Sequence, residues 1–265
     1  MKLYSGPLSL FSAKARIALA EKGLAHELVQ VGWNRRTAYE PHHPDVVALN
    51  PKAQVPILLD GDVVVYDSTL IFEYLEERHP EPRLYPTGVA ERARCRQQEA
   101  AADEIWFPHL WKILETRIYR TGSEEAAGAA RRALEDLYRG FDDALEGHDY
   151  YCEAFSVADI GTFIFVTTAA TLGAPLAPGL ERMNAWLGRV AARPAVRSVM
   201  DDVNAAAVRL LAPVAQGTRE AQAGRVSRMK DETKDRLQGP RRDRAEARNE
   251  EGRENRNTEA SSVRP

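Results

Sequence analysis

Residues 50–68 read NPKAQVPILLDGDVVVYDS, and this stretch decides how the first part of the chain folds. Pro56 stands just before an apolar run, and because proline has no N–H to give to a sheet, it belongs at the first residue of a strand. If the peptide bond before Pro56 is cis, Val55 turns its own N–H and C=O out of the fold, where an extended peptide can pair with them. Asp67 and Ser68 open the next helix, whose free N–H groups and dipole favour an anion. The stretch therefore predicts a binding site for a small peptide that carries a carboxylate.

The residues on either side of this stretch alternate between strand and helix patterns. Gly23 ends the first helix and Asp60-Gly61 is a tight hairpin turn. The pattern predicts a strand at 1–5, a helix at 9–23, a strand at 26–31, a polar loop at 32–44, paired strands at 57–59 and 63–65, and a helix at 67–78. The order βαβ followed by ββα is that of a thioredoxin-like domain.

The second half of the chain has a helical pattern. From about Val89 onward, breaks at 121–123, 146–148, 172–175 and 193–194 divide the sequence into five or so helices. Phe155-Ser156-Val157-Ala158-Asp159-Ile160 reads as a helix start with a capping box between Ser156 and Asp159, and with a hydrophobic staple between Phe155 and Ile160. An all-α domain is predicted here.

In order and spacing, these motifs resemble the cytosolic glutathione transferase family over roughly residues 1–212. The resemblance, to a serine-type bacterial member, implies an α/β thioredoxin-like N-terminal domain followed by an all-α C-terminal domain. We place these domains at 1–81 and 89–213, with a linker at 82–88. Residues 214–265 are rich in charge and almost devoid of large apolar residues, so we expect a disordered tail, about which the resemblance says nothing.

Composition narrows the class of protein further. The chain has 265 residues, 44% of them hydrophobic, and a net charge of −3, so nothing favours nucleic-acid binding. Cys95 and Cys152 are too few for a disulfide framework and lack zinc-ligand spacing, so we expect two small buried residues and no metal site. Without a signal segment or a long apolar run, a cytoplasmic protein with no membrane association is expected.

A glutathione transferase must favour the thiolate of its substrate, because the thiolate is the nucleophile. A hydroxyl that donates to sulfur, together with a helix N-terminus, can lower the thiol pKa. Counted back from Arg16, the resemblance implies that Ser9 is the catalytic residue. Ser12 is the alternate catalytic residue, and Tyr4 and Ser5 are further candidates. A site with no side-chain catalyst is also an open alternative. Ser9 could equally act only as the N-cap of the first helix. Because neither Ser9 nor Ser12 is a cysteine, dithiol exchange at this site is excluded.

The resemblance also implies which residues bind glutathione. Ser68 would receive the α-carboxylate of the γ-glutamyl residue, and Asp67, where the family more often has Glu, would help to hold the ammonium. A plain helix cap is the alternative for this pair. The glutathione-binding residues implied by the resemblance are Gln54, Val55, Pro56, Asp67, Ser68 and His42.

An aromatic run in the second domain is the candidate wall for the second substrate. Pro108 would kink the helix there and open space between turns. Aromatic residues at this spacing are also typical of an ordinary core. The candidate wall residues are Phe11, Trp106, Phe107 and Trp111.

The leading hypothesis from the sequence is therefore a homodimeric glutathione transferase that detoxifies hydrophobic electrophiles. Glutathione would be its co-substrate, with no permanently bound cofactor. The first alternative is a non-catalytic member that uses the fold as an interaction module, of the stringent starvation protein A type, since residues 16–23 fit that subgroup too. The second is a specialised glutathione-dependent lyase or dehalogenase.

Overall fold

The computed structural model describes residues 1–40 and 42–212. Its sheet contains the strands β1 (Lys2–Ser5), β2 (Glu27–Gln30), β3 (Ile57–Asp60) and β4 (Val63–Tyr66), in the spatial order β2-β1-β3-β4. β1 runs parallel to β2 and antiparallel to β3, and β4 is antiparallel to β3. This is the predicted βαβ unit followed by ββα, so the thioredoxin-like prediction is confirmed.

Three helices accompany the sheet: α1 (Leu10–Glu21), α2 (Pro44–Leu49) and α3 (Ser68–Arg78). The sequence predicted α1 and α3 close to these bounds, but it predicted no helix at α2. This helix has only six residues, too few for an apolar period to be visible. Its start is fixed locally, because the His43 ring accepts a hydrogen bond of 3.2 Å from the Asp45 N–H.

The rest of the described chain is helical, as predicted. A long interrupted helix comprises α4 (Val89–Ala101), a π-helical turn (Ala102–Trp106), α5 (Phe107–Leu114) and a second π-helical turn (Glu115–Tyr119). The remaining helices are α6 (Glu124–Ala144), α7 (Val157–Thr171), α8 (Glu181–Ala192) and α9 (Pro194–Leu211). The predicted breaks fall between these helices.

Helix α1 is the element that joins the sheet to the helical part. It contacts α3 on one side and α7 and α9 on the other, so every residue from Ser12 to Leu19 is buried. Residues 1–212 consequently form one compact unit, and the predicted domain boundary at 82–88 stays a prediction. Because α1 is enclosed in this way, its N-terminus, where Ser9 lies, is held at a fixed place.

The predicted capping box at the start of α7 is confirmed. The buried Asp159 carboxylate accepts hydrogen bonds from the Ser156 N–H at 2.9 Å and the Ser156 hydroxyl at 3.0 Å. It also accepts from the Tyr151 N–H at 3.0 Å and the Trp186 indole N–H at 2.8 Å. Burial raises the pKa of Asp159, and these donors oppose that rise. Neither Ser156 nor Asp159 lines the cavity described below, and the box is a folding element.

Several expectations concern the chain as a whole. Cys95 and Cys152 are both buried, as predicted. Across 1–40 and 42–212, no helix combines the length and apolar character that a membrane span needs. The same residues contain no group of three or more side chains that could hold a metal ion. The charged tail predicted at 214–265 lies outside the described residues.

Candidate active site

A cavity of about 1020 Å³ lies where the sheet part meets the helices. One side is built from the loop that follows β1, the loop between β2 and α2, the turn before β3 and the start of α3. The other side is built from the interrupted helix, α7 and α9. Both halves of the described chain are therefore needed to form it.

The turn before β3 contributes Gln54, Val55 and Pro56 to the cavity wall. The Val55–Pro56 peptide bond is cis, and among the described residues the Val55 N–H and C=O form no backbone hydrogen bond. The turn is braced by the buried Asn50, whose side chain donates to the Gln54 carbonyl at 2.8 Å and accepts from the Lys52 N–H at 2.9 Å. Within the described part of the chain, this braced turn thus offers a main-chain donor and a main-chain acceptor without partners.

The start of α3 forms the polar end of the cavity. Asp67 is the N-cap, with a φ of 78° that is unusual for a residue other than glycine, and its carboxylate accepts from the Thr69 N–H at 3.1 Å. Its other oxygen lies 3.3 Å from the Lys52 ammonium. The Ser68 hydroxyl is buried and has no hydrogen-bond partner among the described residues. A buried hydroxyl without a partner is costly, and a ligand carboxylate would relieve that cost.

Of the four hydroxyls considered from the sequence, only Ser9 lines the cavity. It caps α1, and its Oγ accepts from the Ser12 N–H at 3.1 Å, which leaves its own hydrogen free to donate. Ser12 is fully buried, and its Oγ accepts from the Gly6 N–H at 3.2 Å. The Tyr4 hydroxyl donates to the Asp45 carboxylate at 2.7 Å, and this bond, together with burial, raises the Tyr4 pKa to about 12. Ser5 is buried.

The aromatic wall contains three of the four residues expected there. Phe11, Phe107 and Trp111 line the cavity, with the Phe11 and Phe107 ring centres 4.9 Å apart. Trp106 is instead in the core, 4% exposed and packed 5.7 Å from the Tyr138 ring. The π-helical turn that ends at Trp106 changes which face each residue presents, so the regular helical period misplaced this side chain.

The loop between β2 and α2 also contributes to the cavity wall. His42 lines the cavity there, and its Nε2 atom lies 4.0 Å from the Glu40 carboxylate. Tyr39 also lines it and packs against Gly6, where an added Cβ atom would come within 2.5 Å of the Tyr39 hydroxyl oxygen. Burial raises the pKa of Tyr39.

The sequence did not predict every residue of the cavity. Many of the residues it missed come from the loop after β2, the interrupted helix and α9. They include Trp33, Tyr39, Asp103, Tyr119, Arg197, Met200 and Asn204. None belongs to a motif, and they are brought together by the tertiary packing of elements distant in the chain.

The arrangement suits nucleophilic chemistry by a bound thiol. The first turn of α1 presents a hydroxyl at the positive end of a helix dipole, which favours a thiolate over a thiol. The start of α3 is a second positive end of a helix dipole, which favours a bound carboxylate. The aromatic wall offers a water-poor surface for an apolar reaction partner.

Comparison with known proteins is consistent with this geometry. Residues 3–83 match the family model described as glutathione S-transferase, N-terminal domain. The chain is 41% identical over 137 residues to a stringent starvation protein A homolog of Coxiella burnetii, an alignment covering 51% of this chain and 61% of that protein. It is 42% identical over 93 residues to glutathione S-transferase Z1 of Arabidopsis thaliana, covering 35% of this chain and 41% of that one.

Solved structures give the same fold. A sphingomonad glutathione S-transferase complexed with glutathione superposes with a TM-score of 0.65 and 27% identity, over 77% of this chain and 99% of that one.

Proposed function

Since the chain belongs to the glutathione S-transferase family, we propose that it binds glutathione in this cavity and activates the thiol for attack on a hydrophobic electrophile. The observation that carries the proposal is the meeting of three unsatisfied features in one cavity. Among the residues that the structure describes, the N–H and C=O of Val55 and the hydroxyl of Ser68 have no hydrogen-bond partner, and the Ser9 hydroxyl keeps its hydrogen free to donate.

Each feature has a counterpart in glutathione. The cysteinyl main chain pairs with Val55, and the γ-glutamyl carboxylate binds the N-terminus of α3 at Ser68. The glycyl carboxylate points toward Gln54 and His42, which both line the cavity. The sulfur then lies at the N-terminus of α1, facing Ser9.

Ser9 acts by lowering the thiol pKa. A free thiol has a pKa of about 8.5, so only a few per cent is ionised at neutral pH. Lowering it by one or two units corresponds to about 1.4–2.7 kcal/mol in favour of the thiolate. One hydroxyl hydrogen bond to sulfur and the helix dipole together supply energies of this size.

The thiolate attacks the electrophilic carbon with its lone pair and forms a C–S bond. In a substitution, the leaving group departs with the electron pair of the bond that breaks. In an addition, the resulting carbanion takes a proton from water. The aromatic wall of Phe11, Phe107 and Trp111 holds the electrophile near sulfur, so proximity contributes to the rate.

We also propose that the protein works as a cytoplasmic homodimer in detoxification. Support for the dimer comes from large apolar side chains left exposed near the start of α3 and in the first π-helical turn, Leu70 at 54% and Ile105 at 50%. A reducing compartment supplies glutathione as the thiol and keeps Cys95 and Cys152 reduced.

A non-catalytic interaction protein is the second candidate. It is favoured by the relatives named as stringent starvation protein A homologs, one of them 28% identical over 95% of its length. A glutathione-dependent lyase or dehalogenase would use the same binding site and is separated from a transferase only by substrate screening.

The test is calorimetric titration of the full chain with glutathione, followed by turnover of an aryl halide. Ser9→Ala is compared with Ser123→Ala, which removes an equivalent cap at α6, where the Ser123 Oγ accepts from the Ala126 N–H at 3.1 Å. The proposal expects binding by all three proteins and turnover lost only in Ser9→Ala. Binding without turnover in the wild type would favour the interaction protein, and no binding would reject the proposal.

A further inference from the structure

The two cysteines of the chain meet in the core of the helical part, away from the cavity. Cys95 lies on α4 and is 0% exposed, whereas Cys152 precedes α7 and is 9% exposed. Both side chains belong to the same hydrophobic cluster, and the Cys95 thiol lies in hydrogen-bonding contact with the Cys152 thiol. The sequence contains two cysteines in all, so the fold brings every thiol of the protein together.

The packing of α4 on α7 places Cys95. The two helices are held together at the Gln98 amide, which donates to the Thr162 hydroxyl at 3.1 Å. Cys95 lies about one turn before Gln98, and Ala158 lies about one turn before Thr162. The Cys95 sulfur correspondingly lies against the first turn of α7, where the Ala158 N–H, which has no acceptor within the helix, donates to it.

The loop before α7 places Cys152. The Tyr151 N–H donates to the Asp159 carboxylate at 3.0 Å, so the residue that follows Tyr151 is held beside the same first turn of α7. Of the two cysteines, Cys152 is the one that reaches the surface, and only by a small fraction of its area. A reagent that reaches the pair without unfolding the chain must therefore be small.

The surroundings divide the ionisation between the two thiols. The hydrogen bond from the Cys152 thiol, together with the Ala158 N–H, lowers the pKa of Cys95, while burial and the nearby Asp159 carboxylate oppose this effect. The contact with Cys95, together with burial, raises the pKa of Cys152. Because the thiolate is the nucleophile, Cys95 is the attacking sulfur and Cys152 is the second thiol.

We infer that Cys95 and Cys152 form an oxidation site, at which hydrogen peroxide converts the two thiols into a disulfide within one chain. The disulfide ties α4 to the start of α7. Neither cysteine lines the cavity, so this inference goes beyond the proposed function and does not require glutathione to bind.

The reaction proceeds in two steps. The Cys95 thiolate attacks one peroxide oxygen, an S–O bond forms, the O–O bond breaks, and hydroxide leaves and is protonated to water. The Cys152 sulfur, after losing its proton, then attacks the sulfur of the resulting sulfenic acid. The S–S bond forms, the S–O bond breaks, and a second hydroxide leaves and becomes water. The two thiols thus lose two protons and two electrons, and the peroxide is reduced to two waters.

The experiment exposes the full folded chain to hydrogen peroxide and, separately, to glutathione disulfide. Free thiols are counted, and peptides are mapped by mass spectrometry without reduction. The variants are Cys95→Ala and Cys152→Ala, and a dione that traps sulfenic acids is included. The urea-unfolded chain is the control, because there both thiols are accessible to either oxidant.

We expect the folded wild type to lose both thiols to peroxide and to yield a peptide pair that joins Cys95 to Cys152 and separates with dithiothreitol. Glutathione disulfide, which is too large for the buried pair, should react only with the unfolded chain. Cys152→Ala should stop at a trapped sulfenic acid on Cys95, and Cys95→Ala should keep its remaining thiol. The crosslinked chain should melt roughly 4–16 °C higher than the reduced chain, because the disulfide restricts the unfolded state.

The wild type alone decides if either variant fails to fold, since the peptide map requires no substitution. Two intact thiols after peroxide treatment of the folded chain, or crosslinks that join two chains, would overturn the inference. A trapped sulfenic acid on Cys152 in Cys95→Ala would contradict the assignment of Cys95 as the attacking sulfur.

Discussion

Replacing Lys14 by methionine should strongly destabilise the protein. Lys14→Met keeps an unbranched side chain only one atom shorter, but it removes the cation that lies 2.6 Å from Glu99 and 2.7 Å from Asp103. Breaking a buried ion pair by removing one partner costs about 3–5 kcal/mol, because the remaining charge is left without compensation. For a unit of this size, that loss corresponds to a melting temperature roughly 6–20 °C lower.

The assay is urea unfolding followed by circular dichroism, at neutral pH and again near pH 5. The loss should shrink at the lower pH, because burial raises the pKa of Asp103 to about 6, so this carboxyl is largely protonated near pH 5 and its uncompensated charge is removed. Adding Glu99→Gln to Lys14→Met should recover part of the stability, since glutamine can still accept from the Thr69 hydroxyl that lies 3.0 Å from Glu99.

The control is Lys112→Met, which removes an exposed pair to Glu115 at 3.2 Å and should cost less than about 1 kcal/mol. If Lys14→Met were no more destabilising than Lys112→Met, Lys14, Glu99 and Asp103 would not all be charged in the folded protein.

Two further predictions concern single hydroxyls. Ser156→Ala should lower the free energy of unfolding by about 0.5–2 kcal/mol, because it removes the hydroxyl 3.0 Å from Asp159 at the start of α7, and urea unfolding with unchanged stability would contradict this. Ser68→Ala should weaken glutathione binding roughly tenfold to a hundredfold, since it removes a donor to the carboxylate. The same substitution should not lower stability, because the Ser68 hydroxyl has no hydrogen-bond partner among the described residues. Calorimetry measures the affinity of Ser68→Ala for glutathione, and urea unfolding of the same preparation measures its stability. An unaltered affinity for glutathione would argue against a carboxylate at Ser68.

The parts of the fold that the sequence predicted are those determined by local chemistry. Pro56 cannot donate to a sheet, Gly61 permits the hairpin turn with a φ of 63°, and Asp67 caps α3. Such rules act within a few residues, so they predicted the strands, α3 and the capping box at Ser156 without knowledge of the tertiary structure.

The parts that it missed depend on contacts between distant elements. Asp103 lines the cavity because Lys14, 89 residues earlier in the chain, holds it there. Trp106 has the spacing of a wall residue, yet the π-helical turn directs it into the core beside Tyr138 and Phe141. Neither a buried ion cluster nor a π-helical turn has a pattern that a periodicity analysis detects.

We expect Ser9 to stabilise the thiolate of bound glutathione. The most direct measurement is a pH titration of the ultraviolet absorbance of that thiolate in the wild type, Ser9→Ala and Ser123→Ala. The wild type and Ser123→Ala should show a thiol pKa about one to two units below the free value of about 8.5, and Ser9→Ala should return it toward that value. If glutathione bound to Ser9→Ala kept the wild-type thiol pKa, Ser9 would be only the cap of α1.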